Sequence, residues 1–216
     1  MCRMICKLAP INTVVKYNVV MNKVLVNFLY EIGSLRRLER SYHLSVLTQT
    51  ESVAEHSHRA MIIAYFLAKL CKAQAEKAMM MAAFHDMAET RTGDSDWVQK
   101  QYLSQDEQKA LDRQLLPLGG IASGLKLILK EYKERKSLES QIAKDADYIE
   151  YFMSLKELAW AGNKEAEQRL GSENTALNHM YTKQGKKLAR EVKAANPVDW
   201  VKEDLVATHK NYRVVR

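Results

Sequence analysis

The segment ESVAEHSHRAMIIAYFLAKLCK, residues 51–72, has the clearest helical pattern in the chain. Ser52 can cap its first turn, and Glu55 follows three residues later, which is the spacing of a capping box. Apolar residues then recur every three or four positions, as they do on the buried face of a helix. We therefore predict one long helix over residues 51–72, with His56 on the same face as Val53.

The rest of the chain contains few helix breakers. Its 216 residues include only 8 glycines and 3 prolines, whereas a sandwich or barrel of short strands needs a turn signal every ~8–12 residues. The hydrophobic fraction of 47% excludes disorder as the dominant state. Helical spacing predicts further elements at residues 21–33, 35–40, 75–88, 104–116, 121–132, 137–162, 163–170, 174–194 and 198–209.

These elements predict an all-α fold with one domain over residues 21–216. Residues 1–20 contain no acidic residue and differ in composition from the rest of the chain. We expect them to form a poorly ordered N-terminal extension, with a short docking strand or arm as the alternative.

Cysteine content and net charge indicate the cellular compartment and the kind of binding partner. Three cysteines are too few for a disulfide framework and favour a reducing compartment. The chain has neither a clean signal-peptide core nor a run of 18 apolar residues, so we expect a cytoplasmic protein without a membrane partner. Lys and Arg outnumber Asp and Glu by 33 to 26, which favours anionic partners. The basic stripe over residues 183–193 is interpreted as a solvated face, and nucleic acid is not an expected partner.

Polar residues cluster where the predicted helix over residues 75–88 ends. His85 and Asp86 follow the apolar run MMMAAF. Adjacent residues differ by about 100° around a helix, so only a ligand near the helix end can contact both side chains. Glu89 and Asp94 come within ten residues, and a carboxylate in apolar surroundings calls for a counter-charge or a metal ion.

Two other segments offer possible metal ligands, and periodicity does not choose between the two histidines of the first. His56 and His58 both lie on largely apolar helix faces, where a core histidine is the simpler interpretation. Asp147 lies on an apolar stripe and calls for a cation, unless it is solvated or paired with Lys144; Asp145 lies on another face.

Taken together, His56, His85, Asp86 and Asp147 would supply two imidazoles and two carboxylates from three helices. Such a set suits Mn, Fe, Co, Zn or Ni better than a soft metal, which prefers thiolates.

Three segments, ESVAEHSHRA, AAFHDMAETRTGD and KDADYIEY, resemble the HD-domain phosphohydrolase superfamily. They are most similar to the branch that contains the bacterial 5′-deoxynucleotidases and the eukaryotic HD-domain-containing protein 2. The resemblance covers residues 22–195 and rests on the joint spacing of the three motifs. It implies an HD-domain helical bundle with a metal site between helices.

The resemblance also implies a ligand set. It selects His56 rather than His58 and Asp147 rather than Asp145, because the selected residues follow SVAE and KDA. With His85 and Asp86, these residues are implied to bind one divalent metal ion: Mn, Co, Fe, Zn, Ni or Mg.

Glu89 and Asp94 are implied to serve the reaction rather than to bind the metal. We assign water orientation and general acid–base catalysis to Asp94 and a supporting role to Glu89, although these roles could be exchanged.

Substrate contacts are predicted at four positions. Members of the branch read the sugar and phosphate with an Arg-Trp pair before the first metal histidine. Arg40 matches the arginine, and its planar fork suits phosphate. The tryptophan is absent from this sequence, and Tyr42 is at best a substitute for it. Selectivity for 2′-deoxyribose is therefore left open. Arg59 and Arg91 are further phosphate candidates, and each has a surface ion pair as its alternative.

The implied activity is removal of phosphate from nucleoside or deoxynucleoside 5′-monophosphates, and the branch implies a homodimer. The alternatives are hydrolysis of another phosphoester, such as a nucleoside triphosphate, and a non-catalytic nucleotide-sensing HD protein. A nucleic-acid binder is supported by net charge alone.

Overall fold

The structure is a computed structural model that describes residues 19–172 and 175–204. Within these ranges every regular secondary-structure element is a helix, which confirms the predicted all-α class. One isolated antiparallel bridge joins Glu39 to Ser52. The helices are α1 (Val19–Ile32), α2 (His43–Val46), α3 (Val53–Cys71), α4 (Ala75–Phe84), α5 (Glu89–Thr92), α6 (Glu107–Leu115), α7 (Ser123–Glu134), α8 (Leu138–Trp160), α9 (Lys164–Gly171), α10 (Thr175–His179) and α11 (Lys183–Ala194).

Short 3₁₀ turns extend this set at Gly33–Arg37, Gln99–Gln101 and Leu116–Ala122. Most of the predicted N-terminal extension, residues 1–18, lies outside the described residues. The predicted helix over residues 198–209 is helical from 199 to 204, and its remainder also lies outside them. No helix in the described part of the chain is both long and apolar enough to cross a membrane.

Helix α3 lies at the centre of the fold and packs against α4 and α8. Its capping box is confirmed: the Glu55 amide donates to Ser52 Oγ (3.2 Å), and the Ser52 amide donates to Glu55 Oε2 (2.7 Å). Ala60 and Ala64 of α3 are fully buried, and such small side chains let neighbouring helices approach closely. Leu67, also fully buried, contributes about 1.5–3 kcal/mol through its removal from water.

Helix α4 ends earlier than the sequence predicts. The expected helix extends to residue 88, but α4 stops at Phe84 and a turn follows. In that turn the Met87 amide donates to the Phe84 carbonyl (3.2 Å), and the Glu89 amide donates to the Asp86 carbonyl (3.0 Å). These are tight bonds between residues three apart, and they turn the chain so that adjacent side chains leave the 100° spacing of an α-helix.

The predicted helix over residues 174–194 is two helices, α10 and α11. The amides of Tyr181 and Thr182 donate to the buried carboxylate of Asp145, each over 2.8 Å. Thr182 also caps α11 by accepting from the Gly185 amide (2.9 Å). Because Asp145 takes the amide hydrogens that a continuous helix would use internally, the helix breaks at this point.

Candidate metal centre

Four side chains from three parts of the chain converge near the N-terminal end of α3. His56 Nε2 lies 3.1 Å from Asp147 Oδ1 and 3.4 Å from His85 Nε2. His85 Nε2 lies 3.0 Å from Asp86 Oδ2. His56 comes from α3, Asp147 comes from α8, and the other two residues come from the turn after α4. The early end of α4 allows adjacent His85 and Asp86 side chains to reach the same point.

Hydrogen bonding on the far side of each imidazole fixes which nitrogen faces the cluster. His85 Nδ1 donates to the Ala82 carbonyl (2.8 Å), and a carbonyl can only accept. His56 Nδ1 has a very short hydrogen bond to the Glu150 carboxylate. When either ring is neutral, its Nε2 faces the cluster unprotonated, because the other ring nitrogen carries the hydrogen.

The donor set fits a divalent metal ion. Burial lowers the pKa of His56 and His85, but neighbouring carboxylates such as Asp147 raise it more, so without a metal ion the cluster attracts protons. With both rings neutral, their Nε2 lone pairs and the carboxylate oxygens form a set of donors that a cation can bind. Atoms about 2.1 Å from one ion are roughly 3.0–3.4 Å apart at bond angles of about 90–109°, close to the separations between the histidine nitrogens and the carboxylate oxygens. Ligand atoms of His56, His85 and Asp147 all lie within 4.8 Å of one another.

Glu150 orients His56 and is itself held firmly. Arg59 donates from Nε to Glu150 Oε1 (2.9 Å), and the Ser154 hydroxyl donates to the same oxygen (3.1 Å). Arg59 also contacts Glu157 (2.6 Å). Burial raises the pKa of Glu150, but His56 and Arg59 lower it further, so the net shift is downward. The structure thus places Arg59 behind His56, where its guanidinium binds carboxylates.

Arg40 lies beside the cluster. The Arg40 amide donates to the Glu51 carbonyl (3.0 Å), and this contact brings the segment before α2 against the start of α3. Arg40 Nη1 lies 3.1 Å from Asp86 Oδ2 and 3.4 Å from Asp94 Oδ2. Burial lowers the pKa of the guanidinium, but Asp86 and Asp94 raise it more. Arg40 Nε is buried and, within the described structure, makes no hydrogen bond.

The two carboxylates predicted to serve the reaction lie near this arginine. Asp94 Oδ2 accepts from the Ser41 amide (3.0 Å), which fixes its side chain next to Arg40. Burial, together with the negative charges of Asp86 and Asp94, raises the pKa of Glu89 to about 10. Glu89 Oε2 is buried without a hydrogen-bond partner among the described residues. The protein thus keeps a partly unsatisfied carboxyl group close to the candidate metal ligands.

Asp147 is flanked by a lysine from its own helix. Lys144 Nζ lies 2.5 Å from Asp147 Oδ2. Burial raises the pKa of Asp147, but Lys144 and the two histidines lower it well below its ordinary value. The alternative pairing with Lys144 is present, and Asp147 still reaches the cluster through its other oxygen.

The remaining sequence candidates lie elsewhere. His58 is exposed, and Asp145 binds the turn before α11. The Tyr42 hydroxyl donates to Glu51 (2.5 Å), and the ring packs edge-on against Tyr151. The structure therefore directs Tyr42 into the core.

Arg91, inside the second motif, forms a bidentate contact with Glu31 of α1, with Nη2 to Oε2 at 2.8 Å. It is not among the residues that the structure brings to the four-ligand cluster.

Sequence reasoning missed the role of Glu150 and considered Lys144 only as an alternative partner. Both lie within three residues of Asp147 in the third motif. A carboxylate three positions after a helical metal ligand occupies the same helix face, which is a signal that could have identified Glu150.

Comparison with known proteins agrees with this geometry. The HD domain family matches residues 32–196. The human (Homo sapiens) 5′-deoxynucleotidase HDDC2 is 28% identical over 139 residues, which cover 62% of this chain and 67% of that protein. A 5′-deoxynucleotidase of Erwinia tasmaniensis is 29% identical over 155 residues, covering 64% of this chain and 76% of the relative.

Solved structures share the fold. A structural-genomics crystal structure superposes with a TM-score of 0.67 and 31% identity, covering 82% of this chain and 99% of that one. The family match spans well over half of the sequence and includes all four converging side chains. The resemblance drawn from the three motifs is thus confirmed, and the chain belongs to the HD domain family.

Proposed function

We propose that this protein is a metal-dependent phosphohydrolase that removes phosphate from nucleoside or deoxynucleoside 5′-monophosphates. The observation that carries the proposal is the convergence of His56, His85, Asp86 and Asp147 beside Arg40. The names of the human and Erwinia tasmaniensis relatives support a nucleotide substrate.

The chemistry requires both a cation and a nucleophile. A phosphate monoester is a dianion and repels hydroxide. One divalent metal ion held by the four ligands would neutralise phosphate charge and lower the pKa of a water molecule. An activity assay with different metals would identify it among Mn, Co, Fe, Zn, Ni and Mg.

The chain supplies the groups that bind and orient the substrate. Arg40 offers a planar donor fork to the phosphate oxygens. Its present contacts with Asp86 and Asp94 place this guanidinium next to the metal ligands. We assign orientation of the attacking water and proton transfer to Asp94, which the Ser41 amide holds in place. Glu89 supports it, and the reverse assignment of these two carboxyl groups is the alternative.

The other predicted substrate contacts have less support. Arg59 and Arg91 would have to leave Glu150 and Glu31, respectively, to reach a phosphate. Tyr42 would have to leave Glu51. We therefore propose Arg40 as the principal phosphate ligand and leave sugar selectivity to a substrate panel.

The decisive experiment measures phosphate release from ribo- and deoxyribonucleoside 5′-monophosphates with Mn²⁺, Co²⁺, Mg²⁺ or Zn²⁺. We expect release that requires metal and is abolished in Asp86→Ala. Folded, metal-loaded protein that releases no phosphate from any monophosphate would contradict the proposal. Release from a triphosphate alone would point to another phosphoester. Nucleotide binding without release would point to a sensing protein.

We also propose a cytoplasmic homodimer, on the basis of the branch relatives and the sparse cysteines. Light scattering coupled to gel filtration should then give a mass of twice 24.8 kDa. A mass of one chain at micromolar concentration would exclude a stable dimer.

A further inference from the structure

The two oxygens of Asp147 have different partners. Oδ1 lies 3.1 Å from His56 Nε2 and 3.7 Å from His85 Nε2, within the ligand cluster. Oδ2 is 2.5 Å from Lys144 Nζ. The lysine is three residues before Asp147 on α8, so the two side chains share a helix face. The carboxylate is thus divided between a metal-facing oxygen and a lysine-facing oxygen.

Arg40 and Asp86 form a different kind of pair. Arg40 Nη1 contacts Asp86 Oδ2, and this is the same oxygen that approaches His85 Nε2. A bound metal ion would compete with Arg40 for that oxygen and release the guanidinium toward a substrate. Lys144 is not in this competition, because its partner is the oxygen that faces away from both histidines.

We propose that Lys144 is a positioning residue that limits Asp147 to a single metal-ligating oxygen. A divalent ion attracts both oxygens of a carboxylate, and carboxylates bind metals in monodentate or bidentate form. A charged ammonium group on Oδ2 makes the bidentate form costly, because the ion pair would have to break. The proposal rests on the metal site of the proposed function.

The surroundings of Lys144 suit a fixed cation. Its side chain is 28% exposed, and Nζ lies 4.8 Å from the centroid of the Tyr148 ring. A lysine that is paired with a carboxylate and packed against an aromatic ring holds one position, as an orienting partner of a metal ligand must.

The consequence for the reaction concerns space around the metal. An additional carboxylate oxygen would occupy a coordination position that water or a phosphate oxygen needs. Catalytic metal sites keep such a position open. Lys144 would therefore affect turnover without touching the substrate.

The test compares Lys144→Met and Lys144→Arg with the wild-type protein by Co²⁺ titration in the absence of nucleotide. The visible absorption of bound Co²⁺ reports the number and geometry of its ligands. We expect Lys144→Met to change this spectrum and to bind Co²⁺ at least as tightly as the wild type, because a positive charge is removed. Phosphate release should fall by about 10- to 100-fold, whereas Lys144→Arg should keep the wild-type spectrum.

Lys77 provides a matched control, because its side chain is 30% exposed and forms an ion pair of 2.7 Å with Glu131. This pair does not involve any residue of the cluster. Lys77→Met should leave the Co²⁺ spectrum and affinity unchanged. Lys144→Gln is a second neutral variant in case the methionine variant loses its helical circular dichroism.

If Lys144 stabilised only the fold and did not position Asp147, the titration would give a different result. Folded Lys144→Met or Lys144→Gln protein with an unchanged Co²⁺ spectrum, or with weakened Co²⁺ binding, would overturn the proposal. A wild-type protein that binds no Co²⁺ would overturn it together with the metal site. Because the titration uses no nucleotide, a failed phosphatase assay alone would reject the proposed function and leave this result intact.

Discussion

At the scale of single residues, the site depends on what stands behind each ligand. His56 faces the cluster with Nε2 only because Glu150 accepts the hydrogen on Nδ1. Arg59 and Ser154 hold that carboxylate in turn. An arginine inside a motif thus holds the carboxylate that orients a candidate metal ligand, and its charge is largely neutralised by the carboxylates that it binds.

We expect Glu150→Gln to weaken metal binding by about 10- to 100-fold, because a neutral amide is a poorer partner for the imidazole. Titration calorimetry with Mn²⁺ measures this directly. Glu157→Gln is the control, since Glu157 contacts the same Arg59 but its side chain is half exposed; exposed ion pairs contribute little. Equal Mn²⁺ affinity in Glu150→Gln and the wild type would show that Glu150 does not tune His56.

At the scale of elements, the junction between α8 and α11 depends on a glycine. A Cβ added at Gly185 would lie 2.5 Å from Asp145 Oδ2 and 2.8 Å from Thr182 Oγ1. Those atoms bind the turn that separates α10 from α11. The side chain cannot be added unless this hydrogen-bond network shifts.

Gly185→Ala should therefore destabilise the protein by about 1–3 kcal/mol, the usual cost of overpacking. Gly124→Ala is the matched control, because Gly124 lies within α7 with open space around it. That change should stabilise the protein by about 0.4–1 kcal/mol. Urea unfolding gives both values, and a Gly185→Ala midpoint at or above that of the wild type would show that the network adapts without cost.

The sequence predicts elements well where the signal is local. The capping box of Ser52 and Glu55 lies within one turn, and α3 begins where that signal puts it. The end of α4 is different, because no glycine or proline marks the turn at residues 85–88. The break before α11 depends on Asp145, 36 residues away from Tyr181. Contacts between distant residues decide such boundaries, and spacing along the chain does not contain them.

The same distinction applies to the site. Periodicity left His56 and His58 equivalent, and the fold separates them: one is fully buried and the other is exposed. Periodicity puts Asp147 on an apolar stripe and Asp145 on another face of the same helix, and both are buried. Their partners decide the matter, because α11 meets one carboxylate and α3 meets the other. Family motifs select His56 and Asp147 as candidate ligands, since motifs summarise tertiary contacts that periodicity cannot contain.

At the scale of the whole molecule, the candidate ligands come from different segments that pack together in the core. α3, the turn after α4, and α8 each contribute to the cluster. Without a metal ion, the carboxylates of Asp86 and Asp147 are stabilised by Arg40, by Lys144 and by the two histidines. An ion that binds the folded chain and not the unfolded chain must stabilise the whole fold.

The size of this effect is set by mass action. At a free Mn²⁺ concentration about 100 times the dissociation constant, the stabilisation is about 2.7 kcal/mol. For a chain of this length, that raises the melting temperature by roughly 5–11 °C. Calorimetric scans with Mn²⁺ and with a chelator measure the shift. Asp86→Ala should lose most of it, because the variant lacks one ligand. An equal shift in Asp86→Ala would mean that Mn²⁺ stabilises the protein elsewhere, and the place where the three segments converge would then not be a metal centre.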